Sequence, residues 1–175
     1  SLQSGSSSVL RRMRRPYNAA QAMERIRAVR RAFPDAMLTT DVIVGFPGET
    51  EEEYQETREF IRKVGYARIH VFPYSRREDT PAAVMPGQLT KAVKEKRARE
   101  LIALGNEVAE LWLSSMTGKV TTVIPEEEID GYWYGYTPEY IRVSIRNKPG
   151  IAGGIPVSVR LCEVNGSQMM GTVIA

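Results

Sequence analysis

The amino-acid pattern of this chain changes at Thr117-Gly118. Before this point, segments with one apolar helical face alternate with short apolar segments typical of strands, and after it only short strand-like segments follow. Alternating helices and strands indicate βα units around a parallel sheet, whereas a run of short strands indicates a small β-barrel or sandwich. We therefore predict an α/β fold with two domains, residues 1–117 and residues 118–175.

The helices of the first domain are marked by their caps. Asn18 and Gln21 have capping-box spacing at the start of one helix, and Thr50 and Glu53 have it at the start of the next. A long charged helix is predicted over residues 90–116. Its predicted buried positions are Val93, Leu101, Leu104, Val108 and Leu111.

Two strands are predicted between these helices, at residues 37–44 and 66–74. The first is mostly apolar or β-branched, which is typical of a parallel strand buried on both faces. Only two or three βα units fit into residues 1–117, whereas a closed βα barrel takes about 200 residues or more. We therefore expect a partial, incomplete barrel that lacks its preceding part, with exposed sheet edges through which copies of the chain could pair.

The second domain is predicted to be a small antiparallel β-barrel of the oligonucleotide-binding type. Its turns include Pro125 with the acidic run that follows, and Asn165-Gly166, a pair typical of hairpins. The five predicted strands cover residues 119–124, 132–136, 140–145, 155–162 and 169–174.

Composition excludes several classes of protein. The chain has one cysteine, Cys162, and one histidine, His70. A disulfide needs two cysteines, and zinc or iron–sulfur sites take about three or four such ligands, so we predict no disulfide and no metal site. Cys162 lies in an apolar segment and is expected to be buried. No apolar run reaches the roughly 18 residues that span a bilayer, and the polar start lacks a signal-peptide core, so we predict a cytoplasmic protein without membrane attachment.

A ligand site is predicted at the carboxyl ends of the two strands, where parallel α/β folds bind their ligands. Residues 41–44 end the first strand, and Gly45, which begins the turn after it, allows the backbone to approach a ligand closely. Tyr74 ends the second strand. The alternative is a capped βα turn whose glycines serve the backbone geometry alone, with Tyr74 in the core.

Two clusters suggest contact with RNA, although the net charge is only +3. Arginine is concentrated at residues 11–15, and guanidinium groups bind phosphate bidentately, so Arg12 and Arg15 are candidate contacts. Aromatic residues crowd residues 132–140 beside Arg142, and aromatic rings stack on unpaired bases. The alternatives are a solvated helix face for the arginines and a small aromatic core for the barrel.

Several motifs together resemble the radical-SAM methylthiotransferases. The segments that carry the resemblance are Gln3-Ser4-Gly5-Ser6 followed by Leu10, Met13 and Arg15-Pro16-Tyr17; Thr40-Asp41-Val42-Ile43-Val44-Gly45-Phe46-Pro47-Gly48-Glu49-Thr50; Tyr74-Ser75-Arg76-Arg77-Glu78-Asp79-Thr80-Pro81-Ala82, where Asp79 stands in place of the family's glycine; and Lys94-Glu95-Lys96-Arg97 with Leu101. The second domain resembles a TRAM module, the RNA-binding appendix of these enzymes. Residues 130–143 are most similar to the branch that modifies threonylcarbamoyl-adenosine in tRNA.

The resemblance implies a partial TIM-like radical-SAM βα barrel followed by a TRAM barrel. It implies a transferase that adds a methylthio group to C2 of N6-threonylcarbamoyladenosine next to the anticodon of tRNA, with S-adenosylmethionine and two 4Fe-4S clusters as cofactors. The residues implied to contact S-adenosylmethionine are Gln3, Ser4, Asp41, Ile43, Val44, Gly45 and Tyr74. Those implied to contact the anticodon loop are Arg12, Arg15, Tyr132, Trp133, Tyr136 and Arg142.

The family's cysteine motifs are absent from this sequence. We therefore expect the chain to supply no cluster ligand and no catalytic residue, and to be inactive on its own. Three alternatives stand beside the first reading: a methylthiotransferase acting on isopentenyl-adenosine in tRNA, one acting on a ribosomal protein, and a non-enzymatic RNA-binding protein that retains half of a barrel.

Overall fold

Helices and strands alternate through the first half of the chain, as the sequence predicts. The structure is a computed structural model that describes residues 1–174. The elements of this half are α1 (Ser7–Arg12), α2 (Ala19–Ala32), β1 (Thr39–Val44), α3 (Glu51–Val64), β2 (Arg68–Pro73), a 3₁₀ turn (Pro81–Val84) and α4 (Lys91–Ser114). Both predicted capping boxes are present, at the start of α2 and at the start of α3.

Strands β1 and β2 pair in parallel, with Thr39 opposite Arg68 and Val44 opposite Pro73. The prediction of a parallel sheet is therefore confirmed. On the other edge of β1, Gln3 forms an isolated parallel bridge with Val42. The amino-terminal segment thus lies beside β1 as a third line of backbone.

The prediction that β1 is buried on both faces is wrong. Thr40, Val42 and Val44 are buried, while Asp41 and Ile43 are only partly buried. Successive side chains of a strand point to opposite faces, and the face with Asp41 and Ile43 turns toward an open cavity. A strand that borders a ligand cavity can be as apolar as a fully buried one, so composition did not separate the two cases.

The core of this half lies between the sheet, α3 and α4. Its fully buried members are Val42, Val44, Tyr54, Ile61 and Leu101. Helix α2 contributes little, because Ala22 is its one buried residue and Phe33 at its end is 66% exposed. The apolar face of α2 is therefore only partly covered within the described residues.

Helix α4 confirms three of its five predicted buried positions, Leu101, Leu104 and Val108. Val93 and Leu111 are exposed, so those two predictions are wrong. Trp112 is buried instead of Leu111, because the position four residues after Val108 stays closer to the same helix face than the position three after it.

The second half folds into a closed five-stranded barrel, which confirms the predicted fold class. Its strands are β3 (Val120–Ile129), β4 (Tyr132–Tyr136), β5 (Arg142–Arg146), β6 (Val157–Asn165) and β7 (Gln168–Val173), in the order β3-β4-β5-β7-β6 with β6 pairing back to β3. The predicted hairpin near Asn165-Gly166 is present between β6 and β7. One pair, β5 with β7, is parallel, so the barrel is not wholly antiparallel as predicted.

Two further expectations in the barrel are wrong. The acidic run after Pro125 is no turn but the second part of β3, which continues through a register shift between Pro125 and Glu127 to a turn at Asp130-Gly131. Its glutamates are exposed, and a strand with a polar outer face resembles a loop in composition. Cys162 is exposed because it follows buried Leu161 and so points out of the barrel.

Contacts between residues divide the chain into two compact units. The first contains Ser1–Pro34 and Leu38–Val108, and the second contains Asp35–Met37 and the chain from Ala109 onward. The end of α4 therefore groups with the barrel. None of the described helices is both long enough and apolar enough to cross a membrane.

Candidate functional site

A cavity of about 420 Å³ lies where β1 and β2 end. This size is within the range of small-molecule sites. Its walls come from the amino-terminal segment, from both strands and from the segment after β2. The lining residues are Gln3, Asp41, Ile43, Phe72, Pro73, Tyr74, Ser75, Arg77, Thr80 and Ala82.

Gln3 reaches this cavity because its backbone joins the edge of β1. Its N–H donates to the Asp41 carbonyl at 2.9 Å, and its carbonyl accepts from the Ile43 N–H at 2.8 Å. Gln3 has a φ of +74°, a conformation that costs about 1 kcal/mol or more for a residue other than glycine. The two backbone bonds hold this strained residue beside Val42 at the edge of β1.

Tyr74 closes the end of β2. Its N–H donates to the Val44 carbonyl at 2.8 Å, and its ring packs edge-on against Phe46 with 5.4 Å between ring centroids. The Tyr74 hydroxyl is buried and has no hydrogen-bond partner within the part of the chain that the structure describes. A buried hydroxyl without a partner is unfavourable, so this atom marks a place where a polar ligand group would be stabilised.

The loop after β1 is fixed by one buried carboxylate. Gly45 and Gly48 both have a φ of +72°, which favours glycine. Glu49 accepts the Gly45 N–H, and Arg97 donates to its Oε2 at 3.2 Å. Burial raises the pKa of Glu49, while the Gly45 N–H and the Arg97 guanidinium oppose that rise.

The predicted cofactor residues fall into two groups. Gln3, Asp41, Ile43 and Tyr74 meet at the cavity. Ser4, Val44 and Gly45 do not line it: the Ser4 hydroxyl lies 3.1 Å from the Thr57 hydroxyl in the interior, Val44 is fully buried, and Gly45 packs against the Lys94 side chain.

Sequence reasoning assigned no role to the segment after β2. Arg77 and Thr80 line the cavity, because the chain turns back over the strand ends before the 3₁₀ turn. The family-like pattern at residues 74–82 was the available signal. Periodicity could not have placed an irregular segment.

Arg12, a predicted RNA contact, already has a strong partner. Its Nη1 donates to Glu53 Oε1 at 2.8 Å and its Nη2 donates to Oε2 at 2.5 Å. The hydrogen bond from Arg12 is the main reason that the pKa of Glu53 falls to about 2. The charge of Arg12 is therefore matched inside the protein, which weakens its use for phosphate.

Arg14 and Arg15 are exposed and lie beside a second cavity of about 220 Å³. This cavity shares Ile43, Thr80 and Ala82 with the first. Two solvent-facing guanidinium groups are thus placed next to the candidate ligand site. Arg14 and Arg15 are therefore better placed than Arg12 to bind an anion such as a phosphate.

The predicted RNA residues of the barrel differ in exposure. Tyr136 is 39% exposed, whereas Tyr132 and Trp133 are partly buried. The Trp133 indole N–H donates to Asn147 Oδ1 at 3.1 Å. Tyr132 and Trp133 are therefore packed into the wall of the barrel.

Arg142 is held by two neighbours. Its guanidinium lies 2.7 Å from Glu127 Oε1 and 4.9 Å from the ring centroid of Tyr134. Exposed ion pairs are weak, so contact with a phosphate could replace the pair with Glu127.

Tyr140 is the most exposed aromatic side chain among those described in the barrel, at 77%. It has a φ of +62°, and Thr137 holds its loop by accepting N–H groups from Glu139 and Ile141 on its side-chain oxygen. The loop thus presents a largely exposed ring from a backbone that Thr137 holds in place. Tyr140 belongs to the aromatic cluster at residues 132–140 but is not among the RNA contacts predicted from the sequence.

Comparison with known proteins bears on both units. Residues 1–61 match the Radical SAM superfamily. The threonylcarbamoyladenosine tRNA methylthiotransferase MtaB of Bacillus subtilis is 42% identical over 167 residues, which cover 93% of this chain and 37% of that protein. This chain belongs to the radical-SAM methylthiotransferase family.

Other relatives of the same family carry a second name. The tRNA-2-methylthio-N(6)-dimethylallyladenosine synthase of Symbiobacterium thermophilum is 38% identical over 176 residues, covering 99% of this chain and 37% of that protein. The protein of that name from Saccharopolyspora erythraea is 49% identical over 108 residues, which cover 62% of this chain and 22% of that protein. The chain spans a little over a third of the length of the relatives that it matches over most of its own length.

Solved structures add little. A Mycoplasma genitalium RNase R bound to single-stranded RNA aligns with 50% of this chain and 20% of its own, with a TM-score of 0.34 and 13% identity. Such a likeness is too partial to establish a shared fold.

Radical-SAM methylthiotransferases use S-adenosylmethionine and iron–sulfur clusters, and the cavity fits the first of these. It combines apolar walls at Ile43 and Phe72 with polar groups at Gln3, Asp41 and Arg77, and Tyr74, whose buried hydroxyl has no partner among the described residues, is also part of its lining. A nucleoside with charged ends suits such a mixture. No cluster of three or more potential metal ligands occurs among residues 1–174.

Proposed function

We propose that this chain supplies part of the cofactor-binding wall and the RNA-docking module of a tRNA methylthiotransferase. The enzyme would add a methylthio group to C2 of N6-threonylcarbamoyladenosine next to the anticodon. The observation that carries this proposal is the 42% identity to MtaB of Bacillus subtilis across 93% of the chain.

The cavity at the ends of β1 and β2 supports the cofactor part of the proposal. S-adenosylmethionine, when bound beside a reduced cluster, supplies the radical chemistry of the family. Gln3, Asp41 and Tyr74 would orient the nucleoside, while Ile43 and Phe72 would exclude water from it. Ser4, Val44 and Gly45 would act indirectly, by holding the residues that line the cavity in place.

The barrel supports the RNA part of the proposal. Tyr136 and Tyr140 offer accessible rings on which unpaired anticodon-loop bases could stack, and Arg142 lies nearby on the paired strand. Arg14 and Arg15, beside the second cavity, would bind phosphate. Tyr132 and Trp133 would support these contacts from within the barrel wall.

We also propose that this chain alone holds no 4Fe-4S cluster and does not turn over substrate. It has one cysteine, whereas such clusters take thiolate ligands from about four. Iron and acid-labile sulfide analysis of the purified chain, prepared and reconstituted without oxygen, tests this. Cluster-free protein is the expected result, and a stoichiometric cluster would refute it.

The substrate is tested by mass spectrometry of tRNA nucleosides from a strain that lacks the gene. Loss of the methylthio group from threonylcarbamoyladenosine, restored by returning the gene, is the expected result. An unchanged nucleoside profile would remove the proposal.

A second candidate substrate is N6-dimethylallyladenosine in tRNA. It is favoured by the names of several relatives, including the Symbiobacterium protein with 38% identity across 99% of the chain. The same nucleoside measurement separates the two, because each adenosine derivative has its own mass. Loss of the methylthio group from dimethylallyladenosine alone would select this second candidate.

A further inference from the structure

Two basic side chains on one face of α4 contact the loop after β1 and the end of β2, next to the candidate cofactor cavity. Lys94 and Arg97 stand three residues apart, so they lie on neighbouring turns of the same helix face. Neither lines the cavity itself. Any influence that they have on a bound ligand must therefore pass through other residues.

Lys94 joins the ends of β1 and β2. Its Nζ donates to the Tyr74 carbonyl at 2.9 Å and lies 5.7 Å from the centroid of the Tyr74 ring. Its aliphatic stem packs against Gly45 so closely that a Cβ at residue 45 would overlap it. One side chain thus fixes the residue that follows each strand.

Arg97 fixes the rest of the loop after β1. Its Nη1 donates to the Glu49 carbonyl at 3.1 Å and to Glu49 Oε2 at 3.2 Å, and its Nη2 donates to Glu51 Oε2 at 3.1 Å. The side chains of Arg97 and Glu49 are 8% and 1% exposed. Glu49 also accepts the Gly45 N–H, so Arg97 holds the carboxylate that closes the loop.

Stability alone is a weak reason for such a pair. Burying a guanidinium and a carboxylate removes both from water, and the desolvation penalty offsets most of their attraction. What the pair does provide is a fixed geometry, because the guanidinium fork accepts few orientations of its partners. The fixed element here is the loop that begins at the end of β1 and leads into α3.

We propose that Lys94 and Arg97 are positioning residues for the cofactor cavity. Lys94 sets the place of Tyr74 relative to the end of β1, and Arg97 holds the loop from Gly45 to Glu49 against α4. Together they keep the wall formed by Ile43 and Tyr74 in the arrangement that accepts the nucleoside. The identity of the ligand in this assignment rests on the proposed function. The claim that Lys94 and Arg97 hold the two segments in place does not.

The test uses the full chain and two pairs of matched variants. Lys94→Met keeps the stem against Gly45 but removes the ammonium, and Lys96→Met, at an exposed position of the same helix, is its control. Arg97→Lys keeps one charge beside Glu49 but cannot bridge to Glu51, and exposed Arg99→Lys is its control.

The first measurement is hydrogen exchange at single amides by NMR. The Tyr74 amide should exchange about tenfold faster in Lys94→Met, and the Gly45 amide about tenfold faster in Arg97→Lys, while amides in the core of α3 keep their rates. The controls should match the unchanged protein. Equal exchange in variants and controls, or a uniform rise across the whole unit, would overturn the positioning role.

The second measurement is the affinity for S-adenosylhomocysteine by calorimetry. Both test variants should bind about fivefold or more weakly than their controls, because the wall is no longer held in its binding form. Unchanged affinity despite faster exchange would also overturn the role. If the unchanged protein does not bind this probe, the cofactor assignment of the proposed function fails, and the exchange comparison still decides the role of Lys94 and Arg97.

Discussion

The Glu53 carboxylate lies at the centre of a hydrogen-bond network in the first unit. Its carboxylate accepts hydrogen bonds from the Ser8 hydroxyl, from two nitrogens of Arg12 and from the Thr50 N–H. The sequence predicted the last of these from capping-box spacing. It could not predict the others, because Ser8 and Arg12 are about 40 residues away along the chain, and only the fold brings them together.

Replacing Glu53 by glutamine should destabilise the protein by about 1–3 kcal/mol at pH 7, since the charge-assisted bonds from Arg12 are lost. The pKa of Glu53 falls from about 4.5 to about 2 on folding. Its ionised form therefore stabilises the fold above about pH 4.5, and this contribution is lost as the pH falls towards 2. Urea unfolding at several pH values should show that the difference in the free energy of unfolding between the variant and the unchanged protein disappears across that interval.

Glu59→Gln is the control for this prediction. Glu59 pairs with Arg62 on the same helix, but both side chains are about half exposed, so the change in the free energy of unfolding should be small at every pH. A gap for Glu53→Gln that stays constant from pH 7 to pH 2.5 would contradict the assignment of the shifted pKa to this carboxylate.

Tyr140 carries the prediction for RNA. Tyr140→Asn removes the exposed ring, and asparagine tolerates the positive φ at this position. Binding of a single-stranded anticodon-loop RNA should weaken about fivefold or more, the loss of one stacked base. Fluorescence anisotropy measures the affinity, and thermal unfolding should be unchanged.

Ile155→Ser is the matched surface change for Tyr140→Asn. Ile155 is 58% exposed in the same unit and offers no ring for stacking. Equal RNA affinity in both variants would remove residue 140 from the interface.

At the scale of elements, the sequence predicted nearly every helix and strand but not always its faces. Capping boxes and apolar periodicity placed α2, α3 and the centre of α4, because those signals are local. The exposed faces of β1 and α4 were mispredicted, since which side is covered depends on neighbours far along the chain. The parallel pairing of β5 with β7 is likewise a property of the closed barrel rather than of either strand.

The packing of α4 on β2 depends on one glycine. At Gly105 the helix lies so close to the strand that an added Cβ would overlap the Ile69 side chain. Gly105→Ala should therefore destabilise the protein by about 1–3 kcal/mol, although alanine normally favours a helix by up to about 1 kcal/mol. Thermal or urea unfolding measures this.

Asn106→Ala tests the same helix at an exposed neighbour, where alanine should be neutral or stabilising. If Gly105→Ala proves as stable as Asn106→Ala, the close approach of helix and strand is not a constraint on the fold.

At the scale of the whole molecule, the division into two units does not follow the change of pattern at Thr117-Gly118. Trp112, Leu113 and Met116 are buried, yet they stand outside the core cluster of the first unit and group with the barrel. We propose that the RNA-binding domain includes this end of α4. Apolar periodicity in the sequence does not mark such a boundary, because it continues along α4 without a break.

A polypeptide of residues 109–175 should therefore be more stable than one of residues 118–175. The longer one keeps the buried Trp112 and Leu113, and each large apolar side chain contributes about 1.5–3 kcal/mol when buried. Circular dichroism during heating compares them. Equal midpoints would instead support the boundary at Thr117-Gly118.

Ring closure in the barrel has a consequence for how copies of this protein can meet. Each of its five strands has a partner strand on both sides, so the barrel has no edge strand among the described residues. The two-stranded sheet of the first unit is different, because β2 is paired on one side only within the described residues. Self-association by strand addition at high concentration would therefore start at β2.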